Sequence, residues 1–370
     1  MIRIAERLSV LAGPHTLSRI GELLRITNSY YTNLIEGQHT EPAELAASLD
    51  KRTPEKLRAL GFEHMVVQQS HESEMAALQQ EGAITWDTMF GQELITKLHH
   101  ALFSQASEQE LTLQDGFVMV AGELRSVRGK EVIVGRHLAP ASDSVEGMLE
   151  RLQEAYSRPR STIQRVIATM ACHHRMTFIH PFPDGNGRVA RLLTHLQLHY
   201  LSLSSPLWSL ARGLAKRQKD YLRLLAAADQ PRQGAADGRG QLSHAALCTF
   251  IEFMIEVCLD QMTYMEKALN TAHLTDSIRR AIAYSDVFRK AGIKNECADA
   301  LQVLFKQGEM ERAVFKRFMG LGARTATQQL SALIDCEVVQ APSPKSRQIY
   351  SGIPLWYANE LFPQLHRRFE

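Results

Sequence analysis

Residues 178–191 read FIHPFPDGNGRVAR, and the fold and chemistry that we predict both start from them. The turn Gly185-Asn186-Gly187 precedes a helical pattern that begins near Arg188. Glycines let the backbone turn sharply and let a ligand approach it closely. A helix that starts after such a turn directs its free N–H groups and the positive end of its dipole at the loop. The stretch therefore predicts an anion site that suits phosphate.

The side chains around this turn supply the other groups that phosphoryl-type transfer requires. Arg188 and Arg191 are three residues apart, so both project from one helix face, and each can hold phosphate oxygens through parallel hydrogen bonds. Asp184 is the only carboxylate in the loop and offers the hard oxygen that Mg²⁺ prefers beside phosphates. His180 adds a group that titrates near neutral pH.

Other motif interpretations fail on the surrounding residues. A dinucleotide-binding fingerprint needs an acidic residue about 20 positions after the glycines, but residues 191–219 contain none. A calcium loop fails because Phe182 and Leu193 occupy ligand positions. A zinc site built on His173 and His174 with the loop histidine lacks the HExxH spacing. The residues alone leave two alternatives: a phosphate site, or a plain turn between helices with its arginines in solvent.

The composition is that of an ordinary globular protein. The chain has 370 residues, 45% hydrophobic and 22% charged, which suits about two or three domains. The 42 Lys plus Arg against 40 Asp plus Glu argue against a protein that coats nucleic acid or membrane surfaces. Five scattered cysteines without a CxxC pair argue against a disulfide framework and favour a reducing compartment. We expect a cytoplasmic protein without a targeting segment or a membrane partner.

The hydrophobic pattern predicts a mainly helical chain. Helices are expected in the first forty residues and over 41–80, 86–104, 162–178 and 242–269. Residues 116–134 alternate in part and contain glycines, so we expect a β-hairpin there. Residues 230–240 read QPRQGAADGRG, which is typical of a loop.

The pattern changes near Leu274 and predicts a separate C-terminal region. The expected order of several helices followed by two strands suggests a winged helix-turn-helix. The recognition helix is expected at 324–334, and the strands at 338–340 and 348–350. Residues 275–370 contain 14 Lys plus Arg against 10 Asp plus Glu. This mild excess leaves open two alternatives, a DNA-binding module or a packing and partner-binding module.

The chain resembles Fic-domain proteins, because HPFPDGNGRVAR matches the signature HxFx(D/E)GNGRxxR at every specified position. A second motif, Thr32-Asn33-Leu34-Ile35-Glu36-Gly37, matches the inhibitory pattern (S/T)xxxE(G/N) and precedes the core, as in class II members. The segment Val132-Ile133-Val134-Gly135, followed by His137 and Pro140, resembles the Fic flap.

The resemblance implies a mainly α fold, in which a helical Fic core with a small β-hairpin flap precedes an α+β winged-helix domain. We expect an N-terminal helical region over 1–110 with the inhibitory helix at about 20–37. The Fic core is then expected over 111–272 and the winged helix over 273–370.

The resemblance also implies transfer of AMP from ATP to a Ser, Thr or Tyr hydroxyl of a target protein. By position, His180 would deprotonate the hydroxyl, which would attack the α-phosphorus and expel pyrophosphate. Asp184 would hold Mg²⁺, and Phe182 would anchor the loop in the core. The groups expected at the nucleotide are Gly185, Asn186, Gly187, Arg188, Arg191, Tyr221, Val132, Ile133, Val134 and Gly135. The flap would also align the target segment by strand pairing.

Glu36 supports the inhibitory interpretation on physical grounds. It follows Thr32 by four residues, and Gly37 resembles a helix C-cap. A glutamate in a last helical turn is disfavoured by the helix dipole by ~0.3–1 kcal/mol, so a distant cation would explain it. The resemblance names Arg191, which Glu36 would withhold from the γ-phosphate. The expected result is an autoinhibited enzyme.

Several alternatives stay open at this point. Tyr221 could stack on adenine or sit in the core, and Asp220 and Ala228 depart from the family pattern on the adenine side. The same site could remove AMP from a modified protein or transfer another nucleotide. A nucleotide-sensing DNA-binding regulator is a third alternative. As partners we expect a target protein, and the family also implies self-modification and a homodimer.

Overall fold

The structure is a computed structural model that describes residues 1–37, 41, 42, 72, 84–134, 137–203, 207–367 and 369. The predicted mainly α fold is confirmed. The helix predicted over 41–80 and the flap residue Gly135 lie outside the described residues, apart from three positions of that helix. Among the described helices, none combines the length and the apolar character needed to cross a membrane.

Sixteen α-helices are assigned within the described ranges. They are α1 (Ile2–Leu8), α2 (Pro14–Ile35), α3 (Gln92–Phe103), α4 (Glu108–Leu111), α5 (Val145–Tyr156), α6 (Thr162–Ile179), α7 (Asn186–Tyr200), α8 (Leu210–Lys216), α9 (Gln218–Ala228), α10 (His244–Ala268), α11 (Thr271–Tyr284), α12 (Asp286–Lys290), α13 (Cys297–Gln307), α14 (Arg312–Phe318), α15 (Ala323–Asp335) and α16 (Leu355–Leu361).

The backbone packs into two compact units. The first contains residues 1–27, 205–209 and 260–370, and the second contains 28–204 and 210–259. The limits 1–110, 111–272 and 273–370 expected from the sequence do not coincide with these units. The difference arises because residues 1–27 pack with the C-terminal region, whereas α2 from Asn28 onward packs with the core that holds the loop.

The core of the second unit is built around α6 and α7, which are joined by the loop of residues 180–185. A capping box between Ser161 and Gln164 starts α6, because each residue satisfies a free N–H group of the other. Apolar residues at helical spacing then turn one stripe of each helix inward. The fully buried members of this stripe are Cys172, Met176, Ile179, Val189, Leu192, Leu193 and Leu196. Packing of these residues fixes where the loop emerges.

The β-hairpin lies later in the chain than predicted. Strand β1 (Ile133–Val134) pairs antiparallel with β2 (His137–Leu138), whereas residues 116–132 contain turns and one isolated bridge, between Thr112 and Val118. Gly116, Gly122 and Gly129 have φ values of +81°, +83° and +61°. Glycine adopts this left-handed conformation readily, and it reverses the chain instead of extending it. The hairpin predicted over 116–134 is therefore wrong in its bounds.

The C-terminal region contains a small antiparallel sheet. Strands β3 (Glu309–Glu311), β4 (Val339–Gln340) and β5 (Gln348–Ser351) pair in the order β3-β5-β4. The helix expected at 324–334 is present as α15, the strands expected at 338–340 and 348–350 are present as β4 and β5, and β3 is an additional strand. The assignment to the winged-helix class remains a prediction.

Candidate active site

The loop between α6 and α7 has an unusual backbone at both ends. His180 ends α6 with φ 51° and ψ 61°, and its N–H donates to the carbonyl of Met176. Gly185 precedes α7 with φ 80°. The left-handed region is costly for residues with a Cβ, so the surroundings must hold His180 in this conformation.

The imidazole of His180 is neutral and has an unprotonated Nε2. Its Nδ1 lies 3.2 Å from the carbonyl oxygen of Thr177. A carbonyl only accepts hydrogen bonds, so Nδ1 carries the proton and Nε2 presents a lone pair. Burial lowers the pKa of His180 to about 4. The imidazole is therefore neutral at pH 7, which is the form that a general base requires.

Asn186 closes the loop through its side-chain amide. Its Oδ1 accepts the N–H of Phe182 at 2.9 Å, and its Nδ2 donates to the carbonyl of the same residue at 2.8 Å. The residue is 2% exposed. An amide has a second N–H on Nδ2, so these bonds do not conflict with the expected phosphate contact, which stays a prediction.

His99 of α3 contacts the loop through its ring and its Nε2. Its ring stacks on Phe182 with centroids 3.9 Å apart. The N–H of Gly122 donates to Nδ1 at 2.8 Å, so Nε2 carries the proton and donates to the carbonyl of Asp184 at 3.2 Å. Burial lowers the pKa of His99 to about 3, which keeps this neutral form. Phe182 is fully buried in this stack.

Asp184 lies on the open side of the loop, next to Arg188. The side chain of Asp184 is 56% exposed, and one carboxylate oxygen lies 3.6 Å from an Arg188 nitrogen. Arg188 itself is buried, with its guanidinium carbon 4.7 Å from the centre of the Phe103 ring. A single accessible carboxylate fits Mg²⁺, which proteins commonly hold with one or two carboxylates plus the phosphates of a substrate.

Arg191 is bound to the end of α2. Its Nε donates to the hydroxyl of Thr32 at 2.7 Å, and one terminal nitrogen donates to the Thr32 carbonyl at 3.2 Å. The same nitrogen lies 2.5 Å from Glu36 Oε1. Attraction to Glu36 raises the pKa of Arg191 although its burial acts in the opposite direction. The structure thus brings Thr32 and Glu36 of the inhibitory motif together with Arg191, the partner that the resemblance named.

The carboxylate of Glu36 lies against Gly187 in the first turn of α7, where the anion site is expected. A Cβ built on Gly187 would lie 2.4 Å from Glu36 Oε1, so only glycine permits this approach. Gly37 follows with φ 76°, which ends the helix in the left-handed conformation. Burial alone would raise the pKa of Glu36, but the charge and hydrogen bond of Arg191 lower it overall. Glu36 is therefore an anion where phosphate was expected.

Tyr221 lies behind Arg191 in the core, which favours the second of its two alternatives. It is 2% exposed, and its hydroxyl lies 2.8 Å from His173 Nε2. Thr194 donates to the carbonyl of Ala190, so His173 Nδ1 must donate to the Thr194 hydroxyl at 2.7 Å. Burial lowers the pKa of His173 to about 3, so Nε2 is free to accept the tyrosine proton. This chain of hydrogen bonds orients Tyr221 beside Arg191.

The flap strands are open to solvent. Ile133, Val134 and Leu138 are 71%, 46% and 70% exposed, respectively. At the base of the flap, His137 Nδ1 lies 3.2 Å from an Asp229 oxygen. This hydrogen bond raises the pKa of His137 against the effect of its burial.

Two buried residues at the site escaped sequence reasoning, His99 and Arg125. Both act through backbone carbonyls, which a sequence pattern does not reveal. Arg125 is 1% exposed and donates through Nε to the carbonyl of His180 at 2.8 Å. Arg125 was one of three charged residues between Gly122 and Gly129, and nothing in the sequence singled it out.

Residues 89–198 match a family model described as the Fic/DOC family. This range contains the loop, α6 and α7 as far as Leu198, and the match confirms the predicted resemblance to Fic-domain proteins.

Curated relatives match over a similar length. The chain is 30% identical over 119 residues to a protein adenylyltransferase Fic of Drosophila virilis, and 29% identical over 119 residues to that of Drosophila melanogaster. These matches cover 30% of this chain and 24% of each relative. The chain thus spans about a quarter of the length of the curated relatives it matches.

Solved structures share the fold. A Fic domain containing signaling protein from Bacteroides thetaiotaomicron superposes with a TM-score of 0.53 at 19% identity, over 72% of this chain and 95% of the other. A variant of Caenorhabditis elegans Fic-1 with one substitution gives a TM-score of 0.50 at 16% identity, over 73% of this chain and 71% of the other.

Proposed function

We propose that this protein is a protein adenylyltransferase, which transfers AMP from ATP to a Ser, Thr or Tyr hydroxyl of a target protein. The observation that carries the proposal is a neutral histidine with a free Nε2 beside a helix N-terminus that already accommodates a carboxylate. The names of the curated relatives support the choice of the adenylyl group.

The residues of the loop divide the reaction between them. His180 Nε2 accepts the proton of the target hydroxyl, whose oxygen bonds to the α-phosphorus. The bond from the α-phosphorus to the pyrophosphate oxygen breaks, and pyrophosphate leaves. Backbone N–H groups at the start of α7 and the guanidinium groups of Arg188 and Arg191 balance the phosphate charge. Asp184 would hold Mg²⁺, which neutralises negative charge on the phosphates when bound.

Glu36 makes the resting protein a weak enzyme in this proposal. Its carboxylate takes the counter-charge of Arg191 and the space next to Gly187, which the outer phosphates of ATP would need. A nucleotide must then compete with a charged group that is already bound. Removal of this carboxylate should release the activity.

The decisive experiment uses Glu36→Gly protein with and without His180→Ala, incubated with α-labelled ATP, Mg²⁺ and cell lysate. We expect label on protein with Glu36→Gly, and a drop of about 10²–10⁴-fold when His180 is also replaced, which is the usual contribution of a general base. Label from α-labelled but not γ-labelled ATP identifies AMP as the group. Absence of His180-dependent label would contradict the proposal, and loss of AMP from a pre-modified target would instead indicate the reverse reaction.

A second candidate function, DNA binding, rests on the C-terminal unit alone. Residues 312–335, which contain α14 and α15, include four Lys or Arg and one acidic residue, Asp335 at the end of α15. Arg324, Thr327, Gln328 and Ser331 are exposed on α15, and these side-chain types form hydrogen bonds with bases and phosphates. We propose a gel shift with random-sequence duplexes at two salt concentrations. A shift that does not weaken with added salt, or no shift, would contradict this candidate.

A further inference from the structure

Arg125 is a buried arginine for which the proposed chemistry has no use. It is 1% exposed and lies between the left-handed residues Gly122 and Gly129. A guanidinium group stays ionised in proteins, so a buried one must find acceptors for its N–H groups inside the protein. Its acceptors belong to two different parts of the active site.

The first part is the backbone of the catalytic loop. Arg125 Nε donates to the carbonyl oxygen of His180 at 2.8 Å, and a terminal nitrogen lies 3.4 Å from the carbonyl oxygen of Ile179. The backbone N–H of Arg125 donates to the carbonyl of Pro181 at 2.9 Å. One residue thus holds three consecutive carbonyl groups around the catalytic histidine.

The second part is the flap segment, which we define as residues 131–139. One terminal nitrogen of Arg125 donates to the carbonyl of Lys130 at 3.2 Å, and the other donates to the carbonyl of Pro140. The carboxylate of Glu131 lies 3.5 Å from the guanidinium and also accepts the N–H of Ser142 at 2.9 Å. The two residues that flank the flap segment are therefore joined through one planar group.

A guanidinium has five N–H donors, one on Nε and two on each terminal nitrogen. Four carbonyls accept from Arg125, those of His180, Ile179, Lys130 and Pro140, and the carboxylate of Glu131 lies 3.5 Å from a terminal nitrogen as an ion-pair partner. A lysine carries a compact charge with three donors, so it cannot replace all four hydrogen bonds. The arrangement therefore requires arginine, and a positive charge alone does not replace it.

The contacts of Arg125 affect the proposed reaction through the backbone of His180. Its backbone has φ 51°, a conformation that L side chains rarely adopt. A carbonyl that is held from outside the loop keeps this conformation, and the conformation sets the direction in which the side chain leaves the backbone. The position of Nε2 thus depends on Arg125 through the backbone.

We propose that Arg125 is a positioning residue that couples the flap segment to the catalytic base. Binding of an acceptor protein to the flap and the orientation of the His180 side chain then depend on each other. The inference rests on the proposed adenylyl transfer, but the link between the flap segment and the loop can be measured without any reaction.

The activity test compares Arg125→Lys with the matched control Arg128→Lys, both in Glu36→Gly protein. Arg128 lies three residues away, and its Nε donates to Glu123 at 2.6 Å. We expect kcat for AMP transfer to fall about 100-fold in Arg125→Lys, the effect of a misplacement of about 1 Å, together with a higher KM for the acceptor. The Kd for Mg²⁺-ATP should stay within about 3-fold, because the acceptors found for Arg125 lie outside the anion site. Arg128→Lys should match its parent.

The second test does not depend on catalysis. Hydrogen–deuterium exchange should accelerate in peptides from both the flap segment and residues 179–182 of Arg125→Lys, and in neither for Arg128→Lys. Acceleration of only one segment, or of none, would overturn the coupling. Should Arg125→Lys fail to fold, Glu131→Gln is the milder variant, since the Glu131 side chain is 58% exposed. It should accelerate both segments to a smaller extent, and a change confined to the flap segment would contradict the link.

The parent protein separates the two ideas. Suppose that the Glu36→Gly parent becomes labelled and that adding Arg125→Lys changes kcat by less than about 3-fold. This result overturns the coupling but leaves the proposed adenylyl transfer intact. Absence of label in the parent contradicts the proposed function, while the exchange measurement still decides whether Arg125 links the two segments.

Discussion

The catalytic loop and the flap lie in the same compact unit but are built in opposite ways. In the loop, Phe182 and Asn186 are 0% and 2% exposed, and hydrogen bonds hold both. In the flap strands, Ile133 and Leu138 are 71% and 70% exposed. A loop that must place a base beside an anion site benefits from being locked. A surface that receives a protein benefits from apolar side chains that remain open.

The rigid geometry thus lies in the loop and the open surface lies in the flap, and Arg125 contacts both segments. The loop derives its precision from groups outside it, namely His99 on one side and Arg125 on the other. The flap has few internal contacts, since each strand contains two residues. Variants that damage one segment and spare the other should therefore have different signatures.

The largest expected effect on stability comes from Gly185→Ala in the loop. A Cβ there would lie 2.5 Å from the Phe103 ring, and the residue has φ 80°. The left-handed backbone and the overpacking together should cost about 2–5 kcal/mol of the free energy of unfolding, measured by urea denaturation. Gly147→Ala is the control, because its Cβ would meet nothing within 4 Å inside α5, and it should gain up to about 1 kcal/mol. Equal results for the two variants would show that the loop is not locked.

A smaller but clear effect should follow from Glu36→Gln. Glutamine keeps the length of the side chain and one hydrogen bond to Arg191 but removes the charge that holds the guanidinium. We expect basal labelling with ATP to rise about 5- to 150-fold, the range of a coupling free energy of ~1–3 kcal/mol. Glu22→Gln, on the same helix and paired with Arg19 at 2.9 Å, should leave labelling unchanged. The autoinhibitory proposal fails if the two variants behave alike.

The locked environment of His180 should also appear in the pH dependence. Because burial lowers its pKa to about 4, the neutral form persists as the pH falls and is lost only when the pH approaches that value. For Glu36→Gly protein, kcat/KM should stay level from pH 8 to about 5.5 and decline below it, whereas an ordinary histidine would decline near 6.5. Circular dichroism at each pH controls for unfolding. An acid limb near 6.5 would show that the imidazole is solvated.

The smallest expected effect is on the flap, where Ile133→Ser replaces an exposed apolar side chain. Surface substitutions usually change stability by less than about 0.5 kcal/mol, so Tm should hardly move. The KM for the acceptor protein should rise about 3- to 10-fold in the Glu36→Gly background, since less apolar surface is buried on docking. Ile163→Ser, which replaces a similarly exposed residue at the start of α6, is the control. Equal KM values for both variants would remove the flap from acceptor binding.

Sequence reasoning reached the parts of the site that depend on short-range spacing. Arg188 and Arg191 lie on one face of α7 because three residues make nearly one helical turn, and Gly185 has the left-handed φ that its turn required. It was wrong in the bounds of the hairpin, because the three glycines within residues 116–129 turn the chain before β1 and do not lie within one hairpin. It did not show that Asn186 also closes the loop, because nothing in the spacing reveals the two hydrogen bonds between its amide and the backbone of Phe182.

The sequence by itself determined a mainly helical protein and, through the match of residues 180–191 to a family signature, the similarity to Fic-domain proteins. It also predicted an anion site next to a base. The helical fold and the glycine turn follow from local rules of helix spacing and glycine conformation, whereas the family likeness follows from the signature alone. Only the tertiary structure decided that His180 is neutral, that Tyr221 is in the core, and that His99 and Arg125 hold the loop. Burial and backbone acceptors control these features, and both depend on residues that are distant in the chain and meet only after folding.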